Sequence, residues 1–227
     1  MHDLDRPVWA SLTTFHATLA EGDALARRFL RDVNLFASAR DDGDDTQAAL
    51  AALVRPRERI YILQVPPIVA PPALRTLKRA SGVQMVATRP LTDEHTDDVL
   101  VLTDADAPEM LALATLTEPG PFLTRTHRMG RFLGIRRDGR LAAMAGERMR
   151  FPGYTEVSGV CTHPDFRGQG LARHLSAAIV AAIQRRGERA FLHAWATNAA
   201  AIALYRGLGF EMRAEVNVAV LGGTSTG

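Results

Sequence analysis

The sequence predicts an α/β fold, and three observations support this class. From Asp98 onward, apolar runs of strand length alternate with amphipathic segments of helix length. The 227-residue chain is 47% hydrophobic and 23% charged, which is typical of a globular protein and not of a disordered one. The dipeptide Asp138-Gly139 separates two β-rich runs, which indicates an antiparallel hairpin. This length allows one large domain or two small ones.

The first 97 residues carry weaker patterns. Apolar residues recur every three or four positions near the start, which predicts a short amphipathic helix carrying Trp9, Leu12, Phe15 and Leu19. Composition and turn residues then predict a helix over 46–54, a strand over 59–65, a short helix after Pro72 through Lys78, and a strand over 83–88. We therefore expect an N-terminal α/β region over 1–97.

From residue 98 the patterns are clearer. They predict strands over 99–102, 132–137, 141–150, 154–162 and 190–195, followed by two short strands through Leu221. Helices are predicted over 107–116, 170–186 and 198–208. In the second helix, apolar residues four positions apart form one face: Leu171, Leu175, Ile179 and Ile183. We expect residues 98–227 to form one α/β domain.

Charge and composition exclude several classes of partner. The chain has 27 basic and 25 acidic residues in mixed order, so neither nucleic acid nor an anionic membrane is an expected partner. The first residues lack the apolar core of a signal peptide, and no run reaches the roughly 18 apolar residues of a membrane span. The single cysteine excludes an internal disulfide. We expect a soluble cytoplasmic protein.

Common catalytic motifs are also missing. Lys78 follows Leu77 and not glycine, which excludes a nucleotide phosphate loop. None of the seven histidines precedes glutamate, which excludes the His-Glu-x-x-His zinc motif. The acidic turn over 41–45 lacks the closing glutamate of a calcium loop. We therefore expect no metal cofactor.

One stretch has the features of an anion-binding site. A predicted strand ends at a His163-Pro164 turn and leads through glycines and arginines into a long helix. Glycines allow close approach of a ligand, and the first turn of a helix offers backbone N–H groups that lack intrahelical acceptors. This pattern predicts a pyrophosphate site; the alternative is a helix start in which the glycines only permit the turn.

A second motif follows downstream, with Asn198 at a strand-to-helix junction and Tyr205 seven residues later on the same helix face. Arg167-x-x-Gly170-x-Ala172 and Asn198-x-x-Ala201-x-x-Leu204-Tyr205-x-x-x-Gly209-Phe210 together resemble the two signatures of the GNAT superfamily of acetyl-CoA-dependent N-acetyltransferases. The resemblance covers about the last 125–130 residues. It is nearest to the branch with a degenerate N-terminal half, and residues 1–97 are interpreted as such a half-copy.

The resemblance implies a mixed, mostly antiparallel sheet with flanking helices and one splayed pair of strands. It also implies acetyl transfer to a primary amine by direct attack in a ternary complex. Residues implied to bind acetyl-CoA are Val160, Cys161, Thr162, Arg167, Gly168, Gln169, Gly170, Leu171, Ala172, Arg173 and Asn198. Tyr205 is implied to donate a proton to the leaving thiolate, and Glu156 stands where some members keep a catalytic carboxylate.

Alternatives remain at several of these positions. Tyr205 could instead be a packed aromatic, and Cys161 a small buried side chain. His163, His193 or water are alternatives to Glu156 as the base. The acceptor cleft is either open or roofed by the N-terminal region or a second subunit, as in a homodimer. The competing functions are a non-catalytic acyl-CoA-binding or regulatory module and a transferase for a longer acyl group.

Overall fold

The computed structural model describes residues 2–91 and 98–224, and the predicted boundary at residue 97 lies outside these ranges. The helices are α1 (Pro7–Leu12), α2 (Asp44–Ala52), α3 (Ala107–Thr117), α4 (Leu171–Arg185) and α5 (Ala199–Gly207). The strands are β1 (Ala20–Gly22), β2 (Ala26–Phe29), β3 (Ala37–Ala39), β4 (Arg59–Gln64), β5 (Leu74–Ala87), β6 (Val99–Leu102), β7 (Phe132–Arg137), β8 (Arg140–Phe151), β9 (Tyr154–Thr162), β10 (Arg189–Trp195) and β11 (Phe210–Gly223).

Eight strands form one sheet in the order β4-β11-β5-β10-β9-β8-β7-β6. All neighbours are antiparallel except β9 and β10, which are parallel. The predicted mixed, mostly antiparallel sheet is therefore confirmed. Strands β4 and β5 come from the N-terminal region, so the main sheet includes strands from both sides of residue 98.

Both faces of this sheet are covered. Successive residues of β10 point to opposite faces, so Leu192 packs in the cluster that contains α4, while Phe191 packs with the N-terminal residues. On that second face lie α1 and the small β1-β2-β3 sheet, which bury Val8, Leu12 and Phe29 completely. Residues 2–39 thus form a layer over the main sheet, called the N-terminal layer below.

Three local predictions differ from the structure. The short helix predicted before Lys78 is wrong, because these residues belong to β5, which pairs with β11 along most of its length. The two short strands predicted at the C-terminal end are one strand, β11, with an irregularity between Met212 and Ala214. Helix α1 ends at Leu12, and Phe15 is half exposed instead of lying on a buried helix face.

Among the described residues, no helix is long and apolar enough to cross a membrane. Within the same ranges, no group of His, Cys, Asp or Glu side chains is arranged to hold a metal ion.

Candidate active site

The site lies where β9 and β10 separate. The two strands pair only at their first residues, with Tyr154, Thr155 and Glu156 opposite residues 189–191. Beyond this point β10 continues to pair with β5 as far as Trp195, while β9 stays with β8. The edge of β9 after Glu156 therefore has no strand partner within the described ranges. The splayed pair of strands expected from the sequence is confirmed.

Strand β9 also contains a bulge in its pairing with β8. Between the pairs Met144–Cys161 and Gly146–Ser158, β9 contains one residue more than β8. Gly159 lies in the bulge with φ = 64°, a conformation that side chains other than glycine adopt with strain. A Cβ atom there would lie 3.0 Å from Cε1 of Phe132. The bulge thus requires glycine at this position.

A cavity of about 670 Å³ occupies the gap and passes through the sheet. On the α4 side it is lined by Arg167, Ala172, Asn198 and Tyr205, together with the β9 residues Val160, Cys161 and Thr162. On the opposite side it is lined by Phe36, Tyr61, Leu63, Arg148, His193 and Val218. The cavity therefore connects the helix side of the sheet with the N-terminal layer, which roofs its far end.

The start of α4 keeps its backbone N–H groups free. Gly170, with φ = 75°, is the N-cap residue and provides no side-chain cap, and Gly168 has φ = 79°. The first intrahelical bond runs from the His174 N–H to the Gly170 carbonyl at 3.0 Å. The N–H groups of residues 168–173 have no acceptor within the described residues, and a Cβ at either glycine would meet open space. An anion can therefore bind here without displacing a protein group.

Arg167 and Arg173 flank this helix start, and both are exposed. Neither forms an ion pair with a carboxylate in the described part of the chain, whereas other arginines, such as Arg136 and Arg148, do. Their positive charges add to the positive end of the helix dipole. Gly168, Gln169, Gly170, Leu171 and Ala172 thus lie beside unpaired N–H groups and positive charge, and their binding of pyrophosphate stays a prediction.

Asn198 and Tyr205 lie on the same side of the cavity. The Asn198 Oδ1 accepts a hydrogen bond from the Ala201 N–H at 3.1 Å, so it caps α5, while its Nδ2 group has no acceptor in the described part of the chain and can donate to a ligand. The Tyr205 ring packs edge-on against Phe210, with centroids 5.8 Å apart. Burial raises the pKa of the Tyr205 hydroxyl to about 12, so the hydroxyl is protonated at neutral pH and can donate a hydrogen bond.

Glu156 is completely buried and belongs to an ion-pair network. Its carboxylate accepts hydrogen bonds from Arg148 Nε at 2.8 Å and Nη2 at 2.6 Å, and from His193 Nδ1 at 2.7 Å. Burial alone would raise the pKa of Glu156, but the charge and hydrogen bonds of Arg148, together with His193, lower it to about 2. A carboxylate of this pKa is a very weak base at neutral pH. The geometry therefore argues against the predicted general-base role of Glu156.

The hydrogen bonds also define the state of His193. Because the ionised Glu156 can only accept, Nδ1 of His193 carries the proton. Nε2 of His193 lies 3.0 Å from the Gln84 side-chain nitrogen, which also donates to the Leu4 carbonyl at 2.8 Å. Gln84 Oε1 in turn accepts from Arg213. Both ring nitrogens of His193 are therefore engaged, so the lone pair that a base needs is already occupied.

The other candidates on β9 have structural surroundings. Burial raises the pKa of the Cys161 thiol to about 11, so it is neutral and poorly nucleophilic. The Thr162 hydroxyl is buried without a hydrogen-bond partner among the described residues. His163 Nδ1 accepts from the Asp165 N–H at 3.3 Å and caps the turn before α4. Only the backbone groups of residues 160–162 remain candidates for ligand contact.

Sequence reasoning missed the residues on the far side of the cavity. Phe36 and Tyr61 come from the N-terminal region, with ring centroids 6.0 Å apart, and the Arg148 guanidinium lies 4.8 Å from the Phe36 ring. Gln84 was assigned only to a strand. No motif marks these residues, because they meet through pairing of distant strands; the alternation of Gln84 among apolar residues of β5 is the one available signal.

Comparisons with solved structures agree with this fold. The GCN5-related N-acetyltransferase of Kribbella flavida superposes with a TM-score of 0.64 at 22% identity, over 99% of this chain and 97% of that one. A GCN5-related N-acetyltransferase-like protein of Streptococcus suis gives a TM-score of 0.61 at 16% identity, over 95% and 92% of the two chains. At these identities the likeness concerns the fold.

A third structure is similar in sequence as well. This GNAT-family acetyltransferase of Novosphingobium aromaticivorans is 41% identical, covers 99% of this chain and 100% of its own, and superposes with a TM-score of 0.93. The model of the family described as FR47-like protein matches residues 132–219, which run from β7 into β11. No curated protein matches the sequence. The chain belongs to the GNAT family of acetyltransferases.

Proposed function

We propose that the protein is an N-acetyltransferase that moves an acetyl group from acetyl-CoA to a primary amine of a small molecule or peptide. One observation carries the proposal: free N–H groups at the start of α4 lie beside a cavity that passes through the sheet to the N-terminal layer. The two substrates can thus enter from opposite faces and meet between β9 and β10. This arrangement supports direct attack in a ternary complex.

The residues present fit acetyl-CoA. The N–H groups of residues 168–173, with Arg167 and Arg173, would hold the pyrophosphate. The unpaired edge of β9 at Val160, Cys161 and Thr162 would hydrogen-bond the pantetheine arm, and the free Nδ2 of Asn198 would add a donor. Acetyl-CoA supplies an activated thioester carbonyl. An N–H of the β9 bulge near Val160 would stabilise negative charge on the carbonyl oxygen.

We propose that Tyr205 stabilises the departing thiolate. Its hydroxyl is protonated, lines the cavity and has no hydrogen-bond partner within the described residues. An alkyl thiol has a pKa of about 8.5, well below that of this phenol. Complete proton transfer is therefore uphill, and the hydroxyl acts chiefly as a hydrogen-bond donor to the sulfur while charge develops there.

Neither Glu156 nor His193, the two predicted bases that lie at the parted strands, is free to act as a strong base. Glu156 has a pKa of about 2, and the Nε2 lone pair of His193 accepts a hydrogen bond from Gln84. We propose that the amine loses its proton to solvent in the open cavity. Glu156 and His193 are then positioning residues, which hold Arg148 and the parted strands in place.

Cofactor binding tests the pyrophosphate site. At a concentration 100 times its Kd, acetyl-CoA should raise the melting temperature by roughly 5–10 °C in a chain of this size. Gly170→Glu should abolish the shift, because it places a carboxylate among the free N–H groups. Gly187→Glu is the matched control, since Gly187 lies at the other end of α4 with the same φ of 75° and equally open surroundings.

If Gly170→Glu keeps the full shift in melting temperature, or Gly187→Glu loses it as well, the assignment of the pyrophosphate site is wrong.

Catalytic activity is tested by release of free thiol from acetyl-CoA with a panel of amines, amino acids and peptides. Tyr205→Phe should lower kcat about 100-fold or more with little change in cofactor binding. A cofactor that binds without turnover of any amine would favour a non-catalytic acyl-CoA-binding module.

A further inference from the structure

The far side of the cavity contains an arginine nitrogen without a partner. Arg148 uses Nε and Nη2 for Glu156, but Nη1 forms no hydrogen bond within the described residues. The Arg148 side chain is 10% exposed and lines the cavity, and Nη1 would lie 3.9 Å from a Cβ placed on Gly120, another lining residue. This unpaired donor belongs to a side chain that lines the cavity and is available to a ligand bound there.

The position of Arg148 is defined from several directions. The bidentate contact with Glu156 fixes the plane of the guanidinium, and the Phe36 ring lies 4.8 Å from its central carbon. Phe36 is itself held by pairing with Tyr61 and by the bond from the Phe29 N–H to the Phe36 carbonyl. Nη1 is therefore a preorganised donor, and binding of a ligand to it requires little loss of side-chain entropy.

The same wall is otherwise apolar and carries few other polar groups. Its apolar members are Phe36, Leu63, Val216 and Val218, each less than 9% exposed. The Tyr61 hydroxyl forms no hydrogen bond within the described ranges and provides a second donor. Among the described residues lining the cavity, the one acidic side chain is Glu118, which is exposed. An acceptor with a second cationic group would thus find no buried acidic side chain in the cavity with which to pair.

We propose that the acceptor is an α-amino acid with an apolar side chain. Its carboxylate would bind Arg148 Nη1, with Tyr61 as a second donor, and its side chain would pack against Phe36, Leu63 and Val218. The amine is then presented to the gap between the strands. This inference rests on the proposed function, because it assigns the acceptor of the same site.

Matched amines test the carboxylate contact. L-Leucine, L-leucinamide and isoamylamine share one side chain, and only leucine has the carboxylate. With rates expressed per concentration of neutral amine, kcat/KM for leucine should exceed that for the other two about 10- to 100-fold, which is the usual contribution of a charge-assisted hydrogen bond. L-Lysine and spermidine should be poorer acceptors than leucine. Equal rates for leucine and isoamylamine, or a preference for spermidine, would overturn the inference.

Two variants test whether Arg148 and Tyr61 bind the carboxylate of the acceptor. Arg148→Lys keeps a positive charge for Glu156 but lacks Nη1, so the ratio of leucine to isoamylamine should fall about tenfold or more. Tyr61→Phe removes only a hydroxyl and should lower the same ratio even if Arg148→Lys fails to fold. Leu77→Ala, on an exposed part of β5, is the control and should leave the ratio unchanged. An unchanged ratio in both cavity variants would contradict the assignment.

Binding of the acceptor is measured separately from turnover, so that failure of the transferase proposal can be distinguished from failure of the amino-acid proposal. Calorimetric titration of protein saturated with coenzyme A should detect leucine but not isoamylamine at equal concentrations. Absence of thiol release from every amine, with leucine still bound, would reject the transferase and keep the amino-acid site. Thiol release with equal binding of leucine and isoamylamine would keep the transferase and reject the amino-acid site.

Discussion

Replacement of Glu156 by glutamine is the sharpest test of the buried network. The substitution keeps the size of the side chain but removes the negative charge from a completely buried position beside Arg148. Arg148 then remains nine-tenths buried without a counter-charge, which typically costs about 3–5 kcal/mol. The pKa of Glu156 supports a similar magnitude: a fall from 4.5 to about 2 corresponds to about 3 kcal/mol of stability at neutral pH.

The sign of the pH dependence follows from that pKa. Since the folded-state pKa of Glu156 is depressed, its stabilisation is present above pH 4.5 and is lost as the pH falls toward about 2. The difference in free energy of unfolding between wild type and Glu156→Gln should therefore narrow from about 3 kcal/mol at pH 7 to about 1 kcal/mol at pH 3. The other carboxylates titrate in both proteins, so their contributions cancel in the difference between the two free energies of unfolding.

Urea denaturation at both pH values measures this difference. Glu118→Gln is the control, because Glu118 is an exposed carboxylate on the same cavity, and its effect should stay within about 0.5 kcal/mol. A destabilisation by Glu156→Gln below about 1 kcal/mol at pH 7 would refute the reasoning, as would a difference that does not change between pH 7 and pH 3.

Two further outcomes are expected. Because burial raises the pKa of Cys161 to about 11, a thiol-specific reagent at pH 8 should modify the native protein at least about 100-fold more slowly than it modifies the urea-unfolded chain, and rapid labelling of native protein would contradict this. With Tyr205 protonated up to about pH 12 and Glu156 ionised above about pH 2, the acid limb of kcat/KM should follow the pKa of each amine tested. An inflection near pH 6–7 that is the same for all amines would instead indicate a histidine base.

Local patterns predicted the parts of the fold whose structure depends on neighbouring residues. The hairpin between β7 and β8 was predicted because Asp138 and Gly139 adopt positive φ angles of 53° and 75° in a two-residue turn. Helix α4 was predicted because its apolar residues recur every four positions and face the sheet. The N-terminal half was predicted less well, because the first part of β5 is polar and mostly exposed and is a strand only through pairing with β11.

The sequence alone determined that a helix begins at Gly170 and that Tyr205 lies on the same face of α5 as Asn198. Each of these features is encoded within a few residues, and together they indicated the family. The covering of the cavity by the N-terminal layer and the ionised state of Glu156 depended on the tertiary structure. Arg148, His193 and Gln84 reach one another, directly or through Glu156, only when β5, β8, β9 and β10 pair. This pairing places Gln84 beside His193 although they are 109 positions apart in the chain. A carboxylate that reads as a base in the sequence became a buried ion-pair partner, because burial and neighbouring charges, which no local pattern records, decide its pKa.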